Sequence, residues 1–375
     1  LSSSTGAAMN FGFTEEQNLL REQVRRFMRE DCSLAKVREL CNEQKGFDIS
    51  LWEKIAELGW LALTIDPKYG GLGLKWVDLT VVLEETAKGL SPFPILSQAL
   101  SSALIDSCGS EHQKERWLPK LANGEMICAI ALYDEPNWIS EDSIRSSVTF
   151  KEGSADLGGI KPFVNDANLA THLLVMARSD SGLKVAMIEK TQARINIQPT
   201  VDTTKPMASV TIDGVSVSRD DLMDCDIGKL DYITNCGALG TTAEMVGSSE
   251  ALLNLTNEYA KQRIQFGAPI GKYQGVKHRL ADIYVDLESF KSLCYYAAWC
   301  ADDKPEEFAR AVSMAKGYSS DAFNQIGIDG VGLHGAIGFT DEYDAQLYLK
   351  RSKWARPMFG DSNFHMERIA QLGGI

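Results

Sequence analysis

Apolar positions along the chain change their spacing twice. Over about residues 10–122 they recur at helical intervals. Thr14 and Gln17 have the spacing of a capping box, and Leu20, Val24 and Phe27 follow on one helical face. Trp52, Ile55, Leu58 and Leu61 predict a second helix, and Leu79, Val82 and Leu83 a third. The Pro- and Gly-rich run from Asp66 to Gly73 reads as a loop. Near Gly124 the spacing shortens to β-like runs at 127–132, 147–150, 172–177, 184–189 and 208–217. Gly153, Gly158-Gly159, Ser181-Gly182 and Asp213-Gly214 punctuate them as turns, a rhythm that predicts an antiparallel sandwich or barrel. From about residue 229 the helical period returns, with Leu252, Leu253, Thr256 and Tyr259 on one face and Leu280, Ile283, Tyr284 and Leu287 on another. The pattern predicts an α+β multidomain chain: a leader over 1–9, an N-terminal helical domain over 10–122, a central β domain over 123–228 and a C-terminal helical bundle over 229–375.

Composition narrows the function. The 375 residues carry 38 basic and 51 acidic side chains, a net charge of −13. Such a surface argues against a nucleic-acid binder and against attraction to anionic lipid. No run of about 18 apolar residues predicts a membrane span. The opening Leu1 to Ala8 has neither the basic start nor the apolar core of a signal peptide, and Met9 reads as the natural start. The eight cysteines include no Cys-x-x-Cys pair and suit a reducing compartment, so the expected location is the cytoplasm. No two of the five histidines are spaced as metal ligands on one helix face, and no metal is expected.

Familiar local motifs fail. Gly330-Val331-Gly332-Leu333-His334-Gly335 fits G-x-G-x-x-G, but no strand precedes it and no acidic residue stands about 20 positions on. His334 itself reads as lying in a Gly-rich loop. Neither a serine-hydrolase elbow nor a P-loop is present.

Seven segments, in order from about residue 11 to 371, together resemble the acyl-CoA dehydrogenase family. They are Gly59-Trp60-Leu61 with Asp66 to Gly73; Gly109 to Pro119 with its Gln113-Lys114 and Trp117-Leu118-Pro119; Asp134-Glu135-Pro136 with Ser140; and Gly159-Ile160-Lys161-Pro162-Phe163-Val164-Asn165. Arg263-Ile264-Gln265-Phe266-Gly267, Tyr273-Gln274 and Leu333 to Thr340 complete the set.

The resemblance implies FAD held between subunits of a homo- or heterotetramer, with an acyl-CoA thioester beside the flavin. It implies that Tyr133, Asp134, Ser140, Phe163 and Asn165 line the isoalloxazine, Asp134 at its pyrimidine end and Asn165 near N5. Arg263 would grip the diphosphate of the neighbouring subunit's FAD, a pairing suited to a guanidinium. Phe266, Gln274 and the Gly335 to Gly338 loop would run along the same cofactor. Electrons would pass to an electron-transfer flavoprotein, and the substrate would come from lipid or steroid degradation.

Dehydrogenation of a thioester needs a carboxylate to take the α-proton. The family places a glutamate in one of two positions, which here hold Gly360 and Gly237. Three readings follow. Asp361, one residue along the turn, is the base, although it equally suits a cap on the next helix. Alternatively a partner chain of an α2β2 assembly supplies the base. In the third, the flavin performs different chemistry, such as oxygen activation or ring dehydrogenation.

Overall fold

The computed structural model describes residues 13–42, 47–135 and 141–375. Six helices come first: α1 (Glu15–Glu30), α2 (Leu34–Asn42), α3 (Ile49–Glu57), α4 (Trp76–Lys88), α5 (Ile95–Cys108) and α6 (Glu111–Ala122). The expected capping box starts α1, with the Thr14 hydroxyl accepting from the Gln17 N–H and the Gln17 side chain accepting from the Thr14 N–H. The helix expected through Leu61 is shorter. Leu58 caps α3, Gly59 at φ +80° turns the chain away, and Trp60–Ala62 is a separate 3-10 turn. A second such turn, Pro67–Tyr69, sits inside the expected loop.

The β part has strands β1 (Cys128–Ala131), β2 (Ser147–Phe150), β3 (Ser154–Asn165), β4 (His172–Ser179), β5 (Gly182–Glu189), β6 (Arg194–Gln198), β7 (Met207–Ser218) and β8 (Leu222–Asp224). They form one sheet in the order β6-β7-β3-β2-β4-β5-β8, with β1 beside β4. Most pairs are antiparallel as expected, but β1 runs parallel to β4, and β2 touches β4 in the parallel sense. The rhythm of turns speaks only for sequence neighbours, and these pairs are not neighbours. Gly158-Gly159 and Asp213-Gly214, read as turns, lie inside β3 and β7, where the register slips between Leu157 and Gly159. Glycine in a strand marks such a bulge as readily as a turn.

The last part opens with α7 (Ile227–Gln262), followed by a short ribbon of β9 (Ile264–Gln265) and β10 (Ala268–Pro269). Then come α8 (Gln274–Asp303), α9 (Pro305–His334), α10 (Ala345–Ala355) and α11 (Ser362–Gly373). The G-x-G-x-x-G run is not a loop: α9 continues to His334, which is buried with Nδ1 2.7 Å from the Gly330 carbonyl.

The two helical parts share one core. It joins Val24, Trp60 and Leu83 of the first part to Leu239, Phe290 and Phe323 of the last. A second cluster packs α5 and α6 against one face of the sheet, and a third fills the other face. Arg351 of α10 is buried where the β part meets the last helical part, bonded to Asp202 and, at 2.6 Å, to the Thr204 hydroxyl, with Glu244 of α7 3.9 Å away. A buried guanidinium is tolerated only when paired this fully. No helix among the described residues is long and apolar enough to cross a membrane.

Candidate functional site

A cavity of about 410 Å³ opens where the three parts meet. One wall is α5, through Leu96, Ser97 and Leu100. The ends of β1 and β3 form another, with Leu132, Tyr133, Phe163, Asn165 and Asp166. The segment leaving α10, from Pro357 to Asp361, closes the third. The lining is mostly apolar with a few polar atoms, the usual character of a site for a flat organic ligand.

Of the expected site residues, Tyr133, Phe163, Asn165 and Asp361 come together on these walls. The Tyr133 hydroxyl pairs with Thr234 at 2.6 Å, and burial pushes its pKa well up. Phe163 is half exposed at 49%. Asn165 donates weakly to the Met358 sulfur at 3.5 Å, while its Oδ1 is buried with no partner among the described residues.

Asp134 is different. Its carboxylate accepts from the Arg145 N–H at 2.8 Å, from Ser146 and from buried Lys161 at 3.0 Å. Burial pulls Lys161 down to about 8, and Asp134 opposes that fall. The Asp134 carboxylate is thus tied within the chain to Arg145, Ser146 and Lys161. Ser140 lies outside the described residues.

The remaining expected residues do not reach the cavity within one chain. Arg263, just past α7, is exposed, and its guanidinium has no partner among the described residues. Phe266 stands 94% exposed at the tip of the ribbon at φ +50°, and Gln274 is exposed at the start of α8. Gly335 and Gly338 follow α9 nearby: His334 stacks on Tyr259 with centroids 4.5 Å apart, four residues before Arg263.

The turn at 359–361 has the most constrained backbone of the site. Phe359 has φ +53° and Gly360 φ +101°. A non-glycine residue in the left-handed region costs about 1–3 kcal/mol and persists only where its surroundings hold it. The Phe359 ring lies on α7, where a Cβ on Gly237 would come within 2.4 Å of it. A Cβ on Gly360 would come within 2.4 Å of Phe364 and 2.8 Å of the His365 ring. Neither glycine position has room for a glutamate in this arrangement. Asp361 caps α11, its Oδ1 accepting from the Phe364 N–H at 2.9 Å, so the cap it was equally expected to form is present.

Several polar residues in and behind the cavity wall were not expected from sequence, Asp166, Lys205 and Lys316 among them. Asp166, beside Asn165 at φ +60°, accepts from the Ser97 hydroxyl at 2.5 Å, and burial raises its pKa. Lys205 donates to Glu244 at 2.6 Å beneath the Trp354 ring. Lys316 lies behind the 359–361 turn, fully buried. Its signal in the sequence is a lysine at helical spacing among Ala311, Val312, Ala315, Ser319 and Ser320, all buried.

Comparison with known proteins agrees with this architecture. Residues 14–125 match the acyl-CoA dehydrogenase N-terminal domain, and residues 232–373 the acyl-CoA dehydrogenase C-terminal domain. Acyl-CoA dehydrogenase IpdE2 of Mycolicibacterium smegmatis is 30% identical over 95% of this chain and 98% of its own length. A solved FAD-dependent dehydrogenase superposes with a TM-score of 0.87 at 26% identity, over 98% of this chain and all of that one. The ChsE4-ChsE5 complex from Mycobacterium tuberculosis contains a chain of the same fold, with a TM-score of 0.89 at 24% identity over 98% of this chain and 99% of that one.

Proposed function

The chain belongs to the acyl-CoA dehydrogenase family and its cofactor is FAD, and we propose that it oxidises an acyl-CoA thioester between Cα and Cβ. The residues present fit a flavin. The Asn165 side chain offers the ring edge both an amide donor and an acceptor, Oδ1, which is buried with no partner among the described residues, and Phe163, half exposed on the apolar wall, offers its ring for stacking. Bound FAD supplies the acceptor for the β-hydride, and the protein's share is alignment. Arg263, exposed and with no side-chain partner among the described residues, would hold a diphosphate belonging to a neighbouring copy, beside backbone N–H groups of the 335–338 loop. That arrangement requires a neighbouring subunit, and the family resemblance extends it to a homo- or heterotetramer. We assign electron transfer to an electron-transfer flavoprotein, and the eight disulfide-free cysteines support a cytoplasmic location.

For the α-proton we propose Asp361. The observation that carries this is positional: both glutamate positions are closed, and Asp361 is the carboxylate that the same turn brings to the cavity wall. Its Oδ1 is taken by a backbone N–H, which leaves Oδ2 to receive a proton. The other wall carboxylates are engaged by side chains, Asp166 by Ser97 and Glu135 by Arg145. A positioned base contributes about 10²–10⁴-fold. Turnover of the purified flavoprotein against a panel of acyl-CoAs should therefore fall at least ~100-fold in Asp361→Asn. Unchanged turnover removes Asp361 from the role.

The closed glycine positions also favour a second reading, in which a related partner chain carries the base and this chain completes the flavin site. A chain of this fold occurs in the ChsE4-ChsE5 complex, an assembly of two named chains. Activity that appears only on co-expression with such a partner, and that survives Asp361→Asn, supports this reading over the first.

A further inference from the structure

Lys316 lies on α9, one layer behind the cavity wall, on a face otherwise made of small and apolar side chains. A charge there is expensive unless it is met by hydrogen bonds. An ammonium has three N–H donors, and Lys316 uses all of them. It donates to Ser320 Oγ at 2.8 Å, to the Arg356 carbonyl at 3.0 Å and to the Gly360 carbonyl at 2.7 Å. These acceptors belong to α9 itself, to the end of α10 and to the cavity turn. The turn has a second tie from α11, where His365 Nε2 donates to the Phe359 carbonyl at 3.0 Å. His365 Nδ1 is buried without a partner, as befits a neutral ring. The strained Phe359-Gly360 pair is thus held at both of its carbonyls by side chains from two different helices.

We propose that Lys316 is a positioning residue, whose buried ammonium fixes the turn so that Phe359 covers Gly237 and the Asp361 carboxylate faces the cavity. This rests on the reading of the cavity as the site of dehydrogenation, but the clamp itself can be tested without any substrate. The groups facing Lys316 are Asp321 on α9, Arg356 at the end of α10, Asp361 on the turn and His365 on α11. Burial pulls its pKa down to about 7; the two aspartates oppose the fall and Arg356 adds to it. Because burial holds the pKa lower in the closed turn than in an opened one, raising the pH through neutrality relieves the cost of the buried charge and favours the closed turn, in which the neutral amine keeps two N–H donors.

Hydrogen–deuterium exchange of the full chain, followed by mass spectrometry of a peptide covering residues 357–366, reads the turn directly. Rates at pH 6 and pH 8.5 are normalised to a peptide from α8, which cancels the intrinsic pH dependence. Lys316→Met, close in shape but unable to donate, is expected to speed exchange of that peptide roughly tenfold at pH 6, as expected when a hydrogen bond from a charged group is lost. The α8 peptide should be unchanged. The unsubstituted chain should show a normalised decrease between pH 6 and pH 8.5 that Lys316→Met lacks. Turn protection equal to that of the unsubstituted chain at pH 6 overturns the proposal. Should Lys316→Met not fold, Ser320→Ala removes one acceptor from the same ammonium. It is then expected to speed exchange by roughly two- to fivefold, the weaker effect of losing a neutral partner, and an unchanged rate overturns the proposal. Failure to turn over any acyl-CoA would count against the assigned reaction and leave the exchange result intact.

Discussion

The turn at 357–361 and the ribbon at 264–269 both carry motif residues, yet they are built on opposite principles. In the turn, each carbonyl that faces inward has a donor: Pro357 from the Gly360 N–H, Phe359 from His365 and Gly360 from Lys316. In the ribbon, Arg263 has no side-chain partner among the described residues and Phe266 is almost wholly exposed. One region is finished within the chain and spends strain to be so. The other presents a guanidinium and a phenyl ring to whatever lies outside. Substitutions in the turn should therefore damage folding first, and substitutions in the ribbon should damage cofactor retention first.

The sharpest way to break this contrast is Gly360→Glu, which returns the family's glutamate to its usual position. The added Cβ collides with Phe364 and His365, and φ +101° is unfavourable for any side chain. Overpacking and backbone strain together predict a loss of roughly 2–5 kcal/mol in urea unfolding. A variant as stable as the parent, and active, would mean that the turn is pliable. Arg263→Ala should do the reverse. Loss of a charge-assisted bond to phosphate costs about 1.5–3 kcal/mol, so FAD content after dilution and gel filtration should fall at least tenfold. Stability of the flavin-free chain should shift by less than about 0.5 kcal/mol.

Acid should also strike the turn before the ribbon. Burial, with Lys316 adding, lowers His365 to about 3 from 6.5. Between those values the unfolded chain binds the proton and the folded chain does not, so stability falls as pH drops from 6.5 towards 3, by up to about 1.4 kcal/mol per pH unit. Glu250, held down at about 2 by Lys88 and Lys291 against the opposing effect of burial, adds a loss below pH 4.5. Lys316 acts at the other end, since stability rises between its folded value of about 7 and its unfolded 10.5 as the cost of burying the charge is relieved. Urea midpoints measured across this range check the signs, and His365→Phe should flatten the segment from pH 6.5 to 3. The smallest expected effect is Phe266→Ser, within about 0.5 kcal/mol by the same unfolding assay, because the ring touches little else in the chain.

The order of helical, β and helical parts was legible because period 3.6 and period 2 differ over short windows. Glycines misled where geometry rather than type decides their meaning. Gly158-Gly159 is a strand bulge, and Gly330 sits inside a long helix, although both resemble turns in the sequence. The cavity residues Phe163 and Asn165 were visible because they are contiguous in one motif. Lys316 and His365 were not, since their role depends on residues 316, 356, 360 and 365 meeting through the packing of three helices. Asp134 was visible by position, but its ties to Lys161 of β3 and to Ser146, just before β2, were not, because they depend on how the sheet packs.

The core shared by the first and last helical parts has a consequence for how the molecule comes apart. α7 spans 36 residues, about 54 Å at the usual rise per residue. It packs on α4 and α5 at one side and on α9 at the other before delivering Arg263 to the surface. An excised N-terminal or C-terminal fragment would expose half of that interior and should collapse or aggregate. Heating is accordingly expected to melt both helical parts in one cooperative step, with any early separate transition confined to the sheet.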